Sequence, residues 1–263
     1  VGGMVAMFSM LSGSLSAAIT RFITYELGRG DREKLRTIFS SAVTIQLGLA
    51  AIIIILAEVL GIWFLNSKMT IPLDRLAAAN WVFQFSVLTF AINLVSVPYN
   101  ASIIAHERMS AFAYISIFEA VGKLAIAYLI TISPIDRLVF YAILMCAVAL
   151  IVRFTYGIYC KRHFEECMYH FIFDKNLLKD MFGFAGWNFI GASSSVLRDQ
   201  GGNVVINLFC GPAVNAARGI AFQVNNAVNG FVVNFMMALN PQITKQYAAG
   251  NREYIMTLIF QGA

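Results

Sequence analysis

The sequence predicts an all-α polytopic membrane protein, and three observations lead there. Hydrophobic residues make up 59% of the chain and charged residues only 13%, whereas soluble domains sit near 45–50% and about 25%. Mean hydropathy is correspondingly high, at +0.71. Apolar runs of about 20 residues, long enough to cross a ~30 Å hydrocarbon core as a helix, recur along the whole length. The connections between them are short and hold most of the charge.

Seven spans follow in order: 1–27, 38–65, 79–103, 111–132, 137–159, 181–209 and 213–247. The first begins at Val1 inside an apolar stretch, with no charged leader before it, so no signal peptide is visible. It ends at a basic connection, 28–37, holding Arg29, Arg32, Lys34 and Arg36. The second and third spans flank 66–78, whose charges are Lys68, Asp74 and Arg75. Arg108 marks the next turn, Arg137 the one after it. Lys161, Arg162, Lys175 and Lys179 fill 160–180, and Lys245 and Arg252 close the seventh span. Eleven Lys and Arg thus fall on one side and three on the other, which makes 28–37, 104–110, 160–180 and 248–257 cytoplasmic. The net charge of +5 reports these loops, and no nucleic-acid partner is expected. Four cysteines, scattered and partly within apolar runs, are too few for a disulfide framework.

An internal repeat extends the architecture. Gly30-Asp31-Arg32-Glu33 matches Gly250-Asn251-Arg252-Glu253 at an offset of 220, with Ile23-Thr24 matching Ile243-Thr244. Six spans separate the copies, so the unit is even-numbered and both copies share one orientation, as in transporters whose halves are related by an axis along the membrane normal. The expectation is a part of a longer chain of twelve helices, one before Val1 and about four after Ala263.

Two stretches carry a family resemblance. One is Val97-Pro98-Tyr99-Asn100-Ala101-Ser102-Ile103-Ile104-Ala105-His106-Glu107-Arg108. The other runs from Asn215-Ala216-Ala217-Arg218-Gly219 through Asn240-Pro241-Gln242-Ile243 to Ala249-Gly250-Asn251. They resemble the polysaccharide-exporting branch of the MOP superfamily, the Wzx-like O-antigen flippases also called lipopolysaccharide biosynthesis proteins. The resemblance implies a MATE-like, two-lobe transporter in the bacterial inner membrane. Residues 1–159 would be the N-terminal lobe from its second to sixth helix, 160–180 a cytoplasmic linker, and 181–263 the seventh, eighth and start of the ninth helix. The implied substrate is an undecaprenyl-pyrophosphate-linked oligosaccharide. The other expected partners are membrane lipids and the polysaccharide-assembly machinery. No cofactor is implied.

Charges within spans are costly and mark functional candidates. Glu119 and Lys123, four apart and mid-span, are placed to pair on one face; they are either a self-neutralised pair between helices or a positioned phosphate contact. Arg198 and Asp199 are followed by Gln200-Gly201-Gly202, a combination expected to break the helix, either lining a cavity or as a structural kink against the neighbouring helix. Asn215, Arg218, Phe222, Asn225 and Asn229 form one stripe at spacings of three and four. Its amides suit sugar hydroxyls as well as interhelical bonds, and Arg218 suits phosphate. Arg21 and Arg153, six residues from their span ends and roughly 9 Å deep, are expected to snorkel. Cys160, His163, Cys167 and His170 have ligand chemistry. On a helix they would spread over ~15 Å, too far for one ion, and an interfacial segment without a metal is expected.

Three functions compete. Five basic residues within spans (Arg21, Lys123, Arg153, Arg198, Arg218) against Glu119 and Asp199 leave an excess of three, which favours a pyrophosphate cargo over the cationic drugs of a MATE-type antiporter. A membrane enzyme is not expected, because the outer loop 66–78 is small and all three histidines lie at the cytoplasmic edge.

Overall fold

The computed structural model describes the backbone of residues 2–67, 73–133, 136–170 and 174–262. Side chains are described for the same residues except 2–11, 73–74, 199–200, 203–204, 207–208, 212–213, 215–216 and 261–262. The helices are α1 (Gly2–Arg29), α2 (Arg32–Leu56), α3 (Ile62–Ser67), α4 (Leu73–Ala105), α5 (Met109–Leu129), α6 (Arg137–His163), α7 (Lys175–Ala248) and α8 (Arg252–Gly262). A π-helical turn, Ala57–Gly61, joins α2 to α3 without a break. All seven expected spans are helical over their described residues, among which no strand occurs. Among the described residues four stretches, Arg32–Ser67, Arg75–Ala105, Met109–Ile132 and Arg137–His163, are long and apolar enough to cross a membrane. The chain is an all-α polytopic membrane protein.

The helix ends follow from local chemistry. Asp136 caps α6 by accepting from Leu138 N at 2.9 Å, and Asp174 caps α7 by accepting from Asn176 N at 2.9 Å. Gly30 and Gly250, with φ of 75° and 81°, close α1 and α7 in the left-handed conformation that glycine adopts without steric cost. Asn251 N donates to Gln246 O at 3.0 Å and Gly250 N to Tyr247 O at 3.1 Å, the two bonds of a Schellman turn. A helix restarts at Arg32 after the first glycine and at Arg252 after the second. The two repeat copies therefore have one local fold. The α4–α5 turn uses the same pair of bonds, Glu107 N to Ile104 O and Arg108 N to Ile103 O. There the left-handed position is held by Glu107, at φ 59°.

The chain divides into two compact units. One comprises Arg32–Ile103 and Arg108–Phe173. Its apolar core is Phe39 and Val43 of α2, Ile103 of α4, Ile115 of α5, Val152, Tyr156 and Cys160 of α6, and Phe164 and Cys167 beyond it. Phe39 meets Tyr99 edge-on at 5.2 Å between centroids. The sequence predicts an interfacial segment after α6. This segment does more than lie at the surface: Phe164 and Cys167 enter the core, His170 N donates to Ser40 Oγ at 3.2 Å, and the Tyr169 and Thr44 hydroxyls are 3.3 Å apart.

The other unit comprises Val1–Asp31, Ile104–Glu107 and Asp174–Ala263. Here α1 buries Leu15, Ala18, Ile19, Ile23 and Glu26, a stripe at helical spacing. The single helix α7 is interrupted at Gly211, whose φ of 82° and ψ of 173° are not helical. Phe22 of α1 meets Phe184 edge-on at 6.5 Å between centroids, while Gly28 of α1 lies against Lys245 and Ala248. Both ends of α7 thus reach the last turns of α1, and its halves double back on each other at Gly211. The sequence predicts the break earlier, at Gln200-Gly201-Gly202. The helix is instead continuous through Gly201 and Gly202, and Gly202 serves another purpose described below.

The charge count of the connections gives an expected sidedness that labelling can check. Cysteines placed at Asp136 and at Asp74 (whose side chain is outside the described residues) should react with an impermeant thiol reagent from the periplasm, and one at Asp31 should not. Labelling of Asp31→Cys alone would invert the assignment.

Candidate functional site

The expected site residues fall on two units, and each set stands by itself. On α5, Lys123 Nζ lies 2.5 Å from Glu119 Oε1, with side-chain exposures of 51% and 37%. The pair is formed but not packed between helices of its unit. A self-neutralised pair and a positioned phosphate contact share this geometry, and the ion pair that both readings require is present.

Arg218 sits on the second half of α7. Its guanidinium stacks on Phe222, one turn along, at 4.9 Å from the ring centroid. It also lies against Gly202, on the first half. A Cβ built on Gly202 would meet Arg218 Nη1 at 2.8 Å and Nη2 at 2.9 Å. This explains the glycine: it leaves a seat for a guanidinium instead of breaking the helix. Asn225 and Asn229 are exposed further along the second half of the same helix. Arg198 is exposed on the first half. The side chains of Asp199 and Asn215 lie outside the described residues.

The two shallow arginines do not simply extend to the interface. Arg21 stacks on Phe184 at 4.3 Å and Arg153 on Tyr99 at 3.8 Å. Each is held by a ring, which lowers the cost of a guanidinium at that depth.

The ligand quartet does not assemble. The Cys160 thiol donates to Tyr99 O at 3.4 Å, His163 Nδ1 is 3.0 Å from Tyr159 O, and His170 Nδ1 is 3.0 Å from Met168 O. The Cys160 sulfur beside it, together with burial, pushes the Cys167 thiol above its ordinary pKa. Among the described residues no group of three or more His, Cys, Asp or Glu is placed to hold a metal ion.

Two acidic residues escape the count of charges within spans. Glu58 stands in the π-helical turn and accepts from Gln84 Nε2 at 3.1 Å. Such turns are frequent at functional sites, and the turn fits tightly: a Cβ on Gly61 would meet the Phe83 ring at 2.3 Å. Glu26 belongs to the buried stripe of α1. Five basic residues then face four acidic ones (Glu26, Glu58, Glu119, Asp199), and the excess falls from three to one. The sign argument against a cationic cargo is correspondingly weaker. A carboxylate inside the long apolar run 38–65 is the signal that could have found Glu58.

A family model described as polysaccharide biosynthesis protein matches residues 3–246. No curated protein and no solved structure matches the chain.

Proposed function

Since the chain belongs to the polysaccharide biosynthesis protein family, we propose that it is a flippase that carries an undecaprenyl-pyrophosphate-linked oligosaccharide across the bacterial inner membrane. It supplies the transport step of O-antigen or capsular polysaccharide assembly and is not an enzyme. Arg218 carries this proposal. Its guanidinium is pre-positioned by Phe222 and by the missing side chain at Gly202, so little rotamer freedom is lost when a pyrophosphate meets the planar fork. Asn225 and Asn229, on the same half-helix, offer donors and acceptors for sugar hydroxyls. Lys123, steadied by Glu119, supplies a second cation on the other unit.

In the full-length protein, Arg218→Gln should lower surface glycan about tenfold, since a charge-assisted contact contributes roughly 1.5–3 kcal/mol. Arg198→Gln should lower it less, and Arg218→Lys should retain part of the activity. Protein level in the membrane should not change. The second reading, a MATE-type antiporter for cationic drugs on the same fold, gains from Glu58. Normal glycan export in both Arg variants, with altered resistance to cationic dyes in the same strains, would replace the first reading by the second.

A further inference from the structure

Three independent features converge at the cytoplasmic end of the unit built from α1, the α4–α5 turn and α7. The first is close approach. Gly28 of α1 faces the last turn of α7 so tightly that a Cβ there would lie 2.3 Å from Lys245 O and 2.7 Å from Ala248 Cβ. Backbone meets backbone, and no side chain separates the helices. The second is strain. Glu107 is the described non-glycine residue with positive φ, at 59°, a position where glycine or asparagine is the unstrained choice. What the strained residue does is place a carboxylate: Lys245 Nζ donates to Glu107 Oε1 at 3.1 Å. The third is an unmet polar demand. Glu26 is 8% exposed, its Oε2 finds no hydrogen-bond partner in the structure, and Arg29 reaches only Oε1, at 3.8 Å.

A permanent helix crossing has no use for this combination. Small residues and close backbones stabilise a membrane crossing by themselves. A buried carboxylate oxygen without a partner costs free energy, and so does the Glu107 backbone. Those costs make sense where the contact must also come apart and be wetted, because water then satisfies Glu26 and the ion pair's groups. We infer that the α1–α7 crossing at Gly28 is a cytoplasmic gate, latched by Lys245 and Glu107, that opens to admit cargo and closes behind it. The inference rests on the transporter reading for its purpose, but its geometry does not. In sequence α1 lies in the first half of the repeat and the end of α7 in the second, so parting them opens a seam between the halves.

The test reads the gate without any cargo. In the full-length protein, Thr24→Cys is introduced on the buried face of α1, where Thr24 is 1% exposed. Its reaction with N-ethylmaleimide in membranes is followed at that peptide by mass spectrometry. Glu107→Gly deletes the carboxylate while relieving the backbone, so it cannot act by misfolding the turn. It should raise the labelling rate at least threefold, as should Lys245→Ala. The charge-swapped pair Glu107→Lys with Lys245→Glu should bring it back toward the starting value. Unchanged labelling in both single variants, with the protein inserted, would overturn the latch. Raised labelling in a protein that exports no glycan would leave the gate standing and remove the flippase.

Discussion

Valine at position 28 should abolish most transport. No rotamer of any side chain avoids the clash, because the atoms met are the Lys245 carbonyl oxygen and the Ala248 Cβ, and neither can swing aside. Overpacking of this kind costs about 1–3 kcal/mol, and each 1.4 kcal/mol is a factor of ten in a two-state equilibrium. The closed form of the crossing would lose roughly one to two orders of magnitude in population. Surface glycan should fall by a similar factor, and labelling of Thr24→Cys should rise in the same membranes. Gly28→Ala should fall between the two. Full export by Gly28→Val would mean that the helices never need to meet this closely.

Gly211→Val should damage the fold itself. Its φ of 82° with ψ of 173° lies in a region that is essentially restricted to glycine, where another residue costs on the order of 1–3 kcal/mol and a β-branched one more. The halves of α7 would lose the point at which they double back, and with it the packing of both ends on α1. The expected result is a lower yield of inserted, protease-resistant protein and a lower midpoint of thermal aggregation in detergent. Gly201→Ala is the matching control. It is helical and faces open space, so alanine should be neutral or stabilise by up to about 1 kcal/mol. Equal yields from the two variants would remove Gly211 as the determinant of the hairpin.

The pair of glycines at 201–202 shows where sequence reasoning stopped. Apolar runs placed seven helical segments, four of which, among the described residues, are long and apolar enough to span a membrane, and Gly30 and Gly250 announced their turns through the repeat. The same residue type at 201–202 pointed to a break that the backbone does not make. Glycine can supply positive φ or merely the absence of a side chain, and only the position of Arg218, sixteen residues from Gly202, distinguishes them. Arg218, Lys123 and Glu119 were legible as polar residues in apolar spans, and their spacing correctly paired Lys123 with Glu119. Glu107 was not legible as special, since nothing local says that a turn residue will adopt a left-handed backbone. Glu58 was visible but passed over, and its π-helical turn has no recognisable sequence pattern.

Two of the residues that meet at the crossing, Gly28 and Ala248, are separated by 220 positions, the offset of the repeat itself. Each is therefore the other's counterpart, and the contact is isologous in the sense used for two-fold dimers. In an ancestor built from two identical halves, one small residue would have met its own copy there, and steric room would have been a property of a single codon. Duplication within one chain divides that requirement between two codons, which then drift separately so long as their combined volume stays small. Glycine opposite alanine is one such division. The division is not reversible, because a Cβ at 28 would still meet the Lys245 carbonyl oxygen with glycine at 248.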